Sequence, residues 1–260
     1  MNPINRWVTT PRPNERATLR AFVFPYAGSG ATAFRTWLDH IPDSVELCPV
    51  QLPGRETRLR EAPLSSVFSL AEPLADAIAT NLDKPFAFIG HSMGALIAFE
   101  LARELRRRSA QAPLHLFVSG RVAPHVSLER RLFHNRAEPD LISGLLEMGG
   151  TPREVLENQE MMKLLIPIIR ADFQLNETYV CPHEPPLDCP ISAFAGARDT
   201  EVRREQLEAW RIHTTGYFQS EMFPGGHFFL REGTQFLERV SRDLDRIARS
   251  ASASRWETAP

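Results

Sequence analysis

Phe86-Ala-Phe-Ile-Gly-His-Ser-Met-Gly-Ala95 is the stretch on which the reading of the fold turns. Lys84-Pro85 before it is a loop signal, and Phe86 to Ile89 is the short apolar run of a buried strand. After it, Ile97, Leu101 and Leu105 recur at helical spacing, with charged residues between and beyond them. Gly90-His-Ser-Met-Gly94 is therefore a G-x-S-x-G sequence set between a strand and a helix. With no Cβ at Gly90 or Gly94, the two elements can approach closely while the Ser92 hydroxyl points outward. The helix N-terminus places backbone N–H groups and a partial positive charge beside that hydroxyl. The bare pattern arises by chance in roughly one chain in ten of this length, and a capping serine in a Gly-rich turn would satisfy it. Its partners along the chain must carry the argument.

Upstream, residues 1 to about 17 form a polar, Pro-broken arm that Trp7 pins to the body. Leu19 to Phe24 reads as a buried strand, and Pro25-Tyr-Ala-Gly-Ser-Gly30 follows as a Gly-rich turn. A phosphate loop would need the Walker lysine or a G-x-G-x-x-G spacing, and the turn has neither. An oxyanion-hole loop needs only a backbone N–H presented after a strand, so the Ala27 N–H is the expected donor, with Tyr26 as the fallback. Phe34, Trp37, Leu38 and Ile41 predict a short helix, and Val45 to Leu52 a strand weakened or bulged at Pro49. An amphipathic helix is predicted from about Ser69 to Leu82. Beyond the helix from Ala95 to Arg108, Leu114 to Ser119 is again a strand. Strands alternating with helices at this spacing give an α/β fold, a mostly parallel sheet with helices on both faces.

From Gly120 to about Pro190 that rhythm stops, and the segment is too long for a single crossover helix. Leu141, Ile142, Leu145 and Leu146 mark one helical patch. Met161 to Leu175 marks another, with Pro167 expected to kink it. The region is either a helical subdomain burying its own core or a lid over the serine, and it can be both. The sheet resumes at Ile191 to Ala195, followed by the turn Gly196-Ala-Arg-Asp199. A helix from about Glu201 to Ile212, a strand from Tyr217 to Phe223, the turn Pro224-Gly-Gly-His227 and a closing helix through Phe236, Val240, Leu244 and Ile247 complete the chain. Residues from about Ser250 onward read as disordered. The whole of 1–260 is expected to be a single domain with an inserted helical lid at about 121–185.

Composition narrows the function classes. With 43% hydrophobic residues and a net charge of −2, the 260-residue chain is an ordinary globular one with no sign of bulk nucleic-acid binding. It holds no apolar stretch long enough to cross a bilayer and its start has no secretory core, so a cytoplasmic protein is expected. Cys48, Cys181 and Cys189 form no C-x-x-C pair, and the eight histidines show no H-x-x-x-H spacing, which argues against a metal site. Arginine outnumbers lysine 28 to two, a skew that a GC-rich coding genome would also produce.

Ser92, Asp199 and His227 now stand in chain order, each in a turn after a predicted strand, as in an α/β-hydrolase triad. A free serine is a weak nucleophile and needs a base within hydrogen-bond reach. His227 would take and return the proton, and Asp199 would fix the imidazole tautomer. The N–H groups of Met93 and Ala27 would bind the developing oxyanion. Taken singly, Asp199 could be a helix N-cap and His227 a turn residue bonded to backbone. Glu201 and Asp188 are rival acids that follow the strand less directly. His183 sits in a Pro-rich loop, His213 precedes a strand, and the His91 side chain is expected to point away from the base position.

Several stretches together resemble the type II (external) thioesterases that accompany polyketide synthases and nonribosomal peptide synthetases. They are FPYAGSGA at 24–31, VQLPGRE at 50–56, FAFIGHSMGALIAFELA at 86–102, PPLDCPISAFAGARD at 185–199 and FPGGHFFL at 223–230. The same family includes the chain-terminating thioesterases of animal fatty acid synthesis. The resemblance implies an α/β-hydrolase fold and hydrolysis of acyl thioesters on the phosphopantetheine arm of carrier proteins, clearing stalled or misprimed acyl groups. It implies nucleophile, acid and base at Ser92, Asp199 and His227. It implies no bound cofactor, since the phosphopantetheine belongs to the substrate, and acyl or peptidyl carrier proteins as transient partners of a monomer. The 121–185 insertion matches the family's lid in position and composition only. Rival readings are a small-molecule carboxylesterase or lipase with the same triad, a cyclising thioesterase, and a non-catalytic hydrolase-fold binding protein. For an acidic carrier protein, the arginines at 103, 106–108, 121, 130–131 and 203–204 offer a docking face. The 103–108 group can equally be a solvated helix face with Glu104 paired to Arg108.

Overall fold

The computed structural model describes residues 5–126 and 132–257, with side chains as far as residue 253. Six strands form one all-parallel sheet: β1 Leu19–Phe24, β2 Val45–Pro49, β3 Phe86–His91, β4 Leu116–Ser119, β5 Ile191–Gly196 and β6 Phe218–Phe223. The spatial order is β2-β1-β3-β4-β5-β6. The helices are α1 Val67–Ala79, α2 Met93–Arg107, α3 Glu138–Met148, α4 Arg153–Leu156, α5 Gln159–Glu177, α6 Arg204–Glu208 and α7 Gln235–Glu257.

The inner strands read as near-continuous apolar runs because both faces of the sheet are covered. Alternation still sorts them by face. Phe22, Phe24, Phe86 and Phe88 face the side packed by α1 and α2. Leu19, Ala21, Val23, Ala87 and Ile89 face the side covered by Trp37 and by Phe236, Val240 and Leu244 of α7. The strand order reverses at β1, which pairs with β2 on one side and β3 on the other. A cleft therefore opens outside the carboxyl ends of β1 and β3, the place where open parallel sheets bind their ligands. A third apolar cluster, with Phe133, Leu141, Leu145, Leu156, Met162, Ile169 and Phe173, lies wholly in the segment between β4 and β5.

Several elements differ from the sequence reading. β2 ends at Pro49, yet the Val50 N–H still donates to the Val23 carbonyl of β1 at 2.8 Å, while on its outer edge Val50 bridges Val8 of the N-terminal arm. Trp7 fixes that arm under the Arg58 guanidinium, 3.9 Å from the ring centre. Ala31–Asp39 winds as a 3-10 helix. The helix after β5 starts only at Arg204 and gives way to 3-10 turns over Ala209–His213. α5 spans Gln159–Glu177 with Pro167 inside it, two residues longer at each end than the patch from Met161 to Leu175. The closing helix does not stop near Ser250 but continues to Glu257, against the disorder expected there. Ser250 and Ser252 donate their hydroxyls to the carbonyls of Arg246 and Ala248, one turn back, so these polar residues are accommodated within the helix. Among the described residues, no helix is long and apolar enough to cross a membrane.

Candidate active site

The serine turn is built by the closeness of strand and helix. A Cβ on Gly90 would lie 2.2 Å from the Gly94 carbonyl oxygen, and one on Gly94 would lie 2.2 Å from the Phe24 carbonyl oxygen. Only glycine at both positions lets α2 start directly over β1 and β3. Ser92 sits between them at φ 53° and ψ −116°, a conformation that costs a non-glycine residue about 1–3 kcal/mol. The surrounding ladder holds it there, with the Ser92 N–H donating to the Ser119 carbonyl at 2.7 Å. Met93 is the first residue of α2, so its N–H has no acceptor within the helix.

Asp199 and His227 follow β5 and β6, and backbone bonds tie their two turns together. Ala197 N–H donates to Phe223 O at 2.7 Å, and Arg198 N–H to Gly225 O at 2.8 Å. The Asp199 carboxylate is fully buried, with Oδ2 2.9 Å from His227 Nδ1. Its Oδ1 accepts the Glu201 N–H at 2.8 Å, so the same residue caps the following turn. The N-cap alternative is not met, since the next helix starts only at Arg204 with Arg203 at its N-cap position, and Asp199 faces the imidazole. Of the rival acids, exposed Asp188 is bonded to Thr215 Oγ1 at 3.1 Å, and Glu201 lines the site without replacing Asp199 at the imidazole.

Ser92, His227 and Ala27 line one narrow cavity of about 40 Å³, together with Tyr26, Leu145, Met148, Phe173, Asn176 and Phe228. Among the described residues, no hydrogen bond joins the Ser92 hydroxyl to the imidazole, whose Nδ1 is held by Asp199. A second cleft of about 320 Å³, which shares Met148, Glu201, His227 and Phe228 with the first, is also lined by Glu147, Arg198 and Glu232. The segment between β4 and β5 roofs the site. Gly150 lies against the Phe228 ring, and Arg231 donates to the Gly150 carbonyl at 3.2 Å.

His91 corrects the sequence reading. Its ring lies 5.1 Å from the His227 ring, centre to centre, rather than turned away from the base. Strand alternation explains this: His91 shares the face of Ala87 and Ile89, the face that carries the Phe229 segment next to His227. Its Nδ1 is 2.9 Å from Ser119 Oγ. Burial pushes the His91 imidazole well below its ordinary pKa, and His227 and Arg231 push the same way.

The arginines divide. Arg103 is buried on Glu100, while Arg106 to Arg108 are committed to Glu184, Glu104, Asp76 and the carbonyls of Glu72, Pro185 and Pro186. The Glu104–Arg108 pair forms at 2.6 Å. Arg121 is buried. Arg130 and Arg131 lie outside the described residues, and Arg203 and Arg204 are exposed.

The family model "Thioesterase domain" matches residues 20–247. The gramicidin S biosynthesis protein GrsT of Aneurinibacillus migulanus is 44% identical over 245 residues, covering 94% of this chain and 96% of the relative. The structure of RedJ, a thioesterase from the prodiginine biosynthetic pathway in Streptomyces coelicolor, superposes with a TM-score of 0.81 at 41% identity over 94% of each chain. YbtT, a type II thioesterase from the yersiniabactin NRPS/PKS pathway, superposes with a TM-score of 0.83 at 34% identity, over 93% of this chain and 99% of its own.

Proposed function

This chain belongs to the thioesterase domain family and is a hydrolase of thioester bonds, and from that premise we propose the residues and the substrate on which it acts. Ser92 is the nucleophile, His227 the general base and acid, and Asp199 the group that holds the imidazole. The observation that carries this is the buried Asp199–His227 contact at 2.9 Å opening into the cavity that Ser92 lines. Ser92 Oγ attacks the thioester carbonyl as His227 takes its proton, and the tetrahedral oxyanion is bound by the N–H groups of Met93 and Ala27. Losing one such donor costs about 3–4 kcal/mol of transition-state stabilisation. The carbon–sulfur bond then breaks, and the thiol leaves with the proton from His227. Water, deprotonated by His227, attacks the acyl-serine and releases the acid. Asp199 keeps the Nδ1 proton in place and stabilises the imidazolium.

The substrate in this reading is an acyl group on the phosphopantetheine arm of a carrier protein in polyketide or nonribosomal peptide synthesis, and the hydrolysis clears stalled or aberrant chains. The support is the roles of the relatives: GrsT is a gramicidin S biosynthesis protein and YbtT a type II thioesterase of an NRPS/PKS pathway. The carrier is a transient partner of a monomer, the segment at about 121–185 is the lid, and the reaction uses no cofactor besides the substrate's own arm. Of the arginines considered for docking, exposed Arg203 and Arg204 are retained.

The test compares acyl release from an acyl-carrier protein, the matching acyl-CoA and a p-nitrophenyl ester, with Ser92→Ala as control. Faster Ser92-dependent release from the carrier is expected. Turnover of the nitrophenyl ester alone would move the protein to small-ester hydrolysis.

A further inference from the structure

Ala27, taken above as an oxyanion donor, sits in a loop held on one side by its own Tyr26, which lies edge-on to His91 and Phe228 and whose hydroxyl accepts from Arg231. Within residues 25–30, Ser29 closes one local turn, its hydroxyl donating to the Tyr26 carbonyl at 2.8 Å. The loop's other anchors come from far along the chain. The Gly28 N–H donates to Asp172 Oδ2 at 2.7 Å, and Asp172 lies on α5, in the segment that roofs the site. Arg55 of the PGRE turn grips the same carboxylate with both arms, Nη1 to Oδ2 at 2.7 Å and Nη2 to Oδ1 at 2.8 Å. Arg55 Nη1 also donates to the Ser29 carbonyl at 3.1 Å. Asp172 is 1% and Arg55 5% exposed. Ile169, one turn before Asp172, seats the helix against Gly28.

A buried ion pair is a poor way to gain stability, because well-packed apolar side chains of the same volume serve as well or better. A carboxylate can do what leucine cannot, which is to accept a backbone N–H. Committing the Gly28 N–H to Asp172 fixes the peptide plane that follows Ala27, and Ala27 lines the cavity with Ser92. Resting on the reading of Ser92 and Ala27 given above, we propose that Asp172 and Arg55 are positioning residues for the oxyanion hole. The roofing helix completes that hole only when it is seated. Neither side chain touches the reacting atoms. Their effect passes through the backbone of residues 27–29.

Asp172→Asn removes the charge at nearly constant shape, and Arg55→Lys keeps the charge but loses the two-point grip. For the full-length parent and both variants, Ser92 is titrated with a fluorophosphonate, and kcat and KM for acetyl and octanoyl thioesters are expressed per titrated site. Affinity for a trifluoromethyl ketone thioether, which forms a tetrahedral adduct, is measured alongside. The expected result is a loss in kcat per site of about 10–100-fold for both acyl lengths, with KM within about threefold and a parallel loss of ketone affinity. A merely structural role would lower the number of titratable sites and leave turnover per site unchanged. Turnover per site within twofold of the parent overturns the proposal, as does a loss confined to KM. If Asp172→Asn fails to fold, Arg55→Lys carries the same readouts. A parent that takes no label, or a Ser92→Ala variant that still turns over, overturns the nucleophile assignment and this inference with it, and those two controls separate the failures.

Discussion

On the sheet, Phe22, Phe24, Phe86 and Phe88 are fully buried and interlock edge to face at 5.2–6.0 Å. In the segment between β4 and β5, Leu146, Met161 and Leu164 stand 44–59% exposed around a much smaller cluster. The first region fixes the turns that carry Ser92, Asp199 and His227 in place, through packing and paired backbone. The second is joined to the site by a few polar ties, Asp172 to Arg55 and Arg231 to Gly150 among them. The contrast separates two tasks. Groups that must hold their geometry ride on the dense core. The walls that the segment between β4 and β5 adds to the cavity, through Leu145, Met148 and Phe173, ride on the looser one, where repacking costs little.

The comparison breaks at once if chemistry survives without the core's serine. Ser92→Ala should lower kcat by on the order of 10⁴–10⁶-fold while the Tm stays within a few degrees, measured by thiol release from an acyl thioester. Two glycines sharpen the contrast next. Gly94→Ala places a methyl group 2.2 Å from the Phe24 carbonyl oxygen, and backbone cannot yield there, so a loss of at least about 3 kcal/mol or an insoluble product is expected. Gly149→Ala, in the roofing segment, meets nothing within 4 Å and faces only its φ of +70°, for about 1 kcal/mol. Urea midpoints compare the two, and equal losses would erase the distinction.

A pH series probes the core further. Burial depresses the His115 imidazole to about 4, against an ordinary value near 6.5. Between those values the unfolded chain binds the proton and the native one does not. Stability is therefore complete above about pH 6.5 and is lost as pH falls toward 4, reaching about 2 kcal/mol at pH 5. His115→Gln removes that share of the pH dependence, and urea unfolding at pH 7 and pH 5 measures it. The smallest effect is at the surface of the roof. Leu164→Gln, at a position 59% exposed, should move stability by less than about 0.5 kcal/mol. A larger loss would mean that the roof is packed by something more than its own cluster.

The same division governs what the sequence discloses. Short, near-continuous apolar runs locate the six strands within a few residues, because burial on both faces leaves little freedom in composition. Ser92, Asp199 and His227 are legible for a related reason, since each stands one turn beyond a strand and strand ends share one edge of the sheet. The helix after Asp199 was read too long because Ile212 continued its apolar spacing, while the chain turns to 3-10 geometry before it. His91 is misread when the turn is considered alone, since its neighbours come from residues 223–231. Arg55 and Asp172 lie further still from any local signal. The PGRE turn and a lone acid within an apolar helical run are visible, but nothing in the spacing joins them across more than a hundred residues.

The pairing of β4 with β5 bears on how the chain comes off the ribosome. β1 to β4 are complete and mutually paired by Ser119, yet β5 begins only at Ile191. Throughout synthesis of the intervening residues, the outer edge of Leu116-Phe-Val-Ser119 waits with bare N–H and carbonyl groups and apolar side chains beside them. Such an edge invites pairing with another nascent copy. The protein is thus most prone to misassembly while the segment between β4 and β5 is being made, before Asp199 and His227 exist as part of the chain.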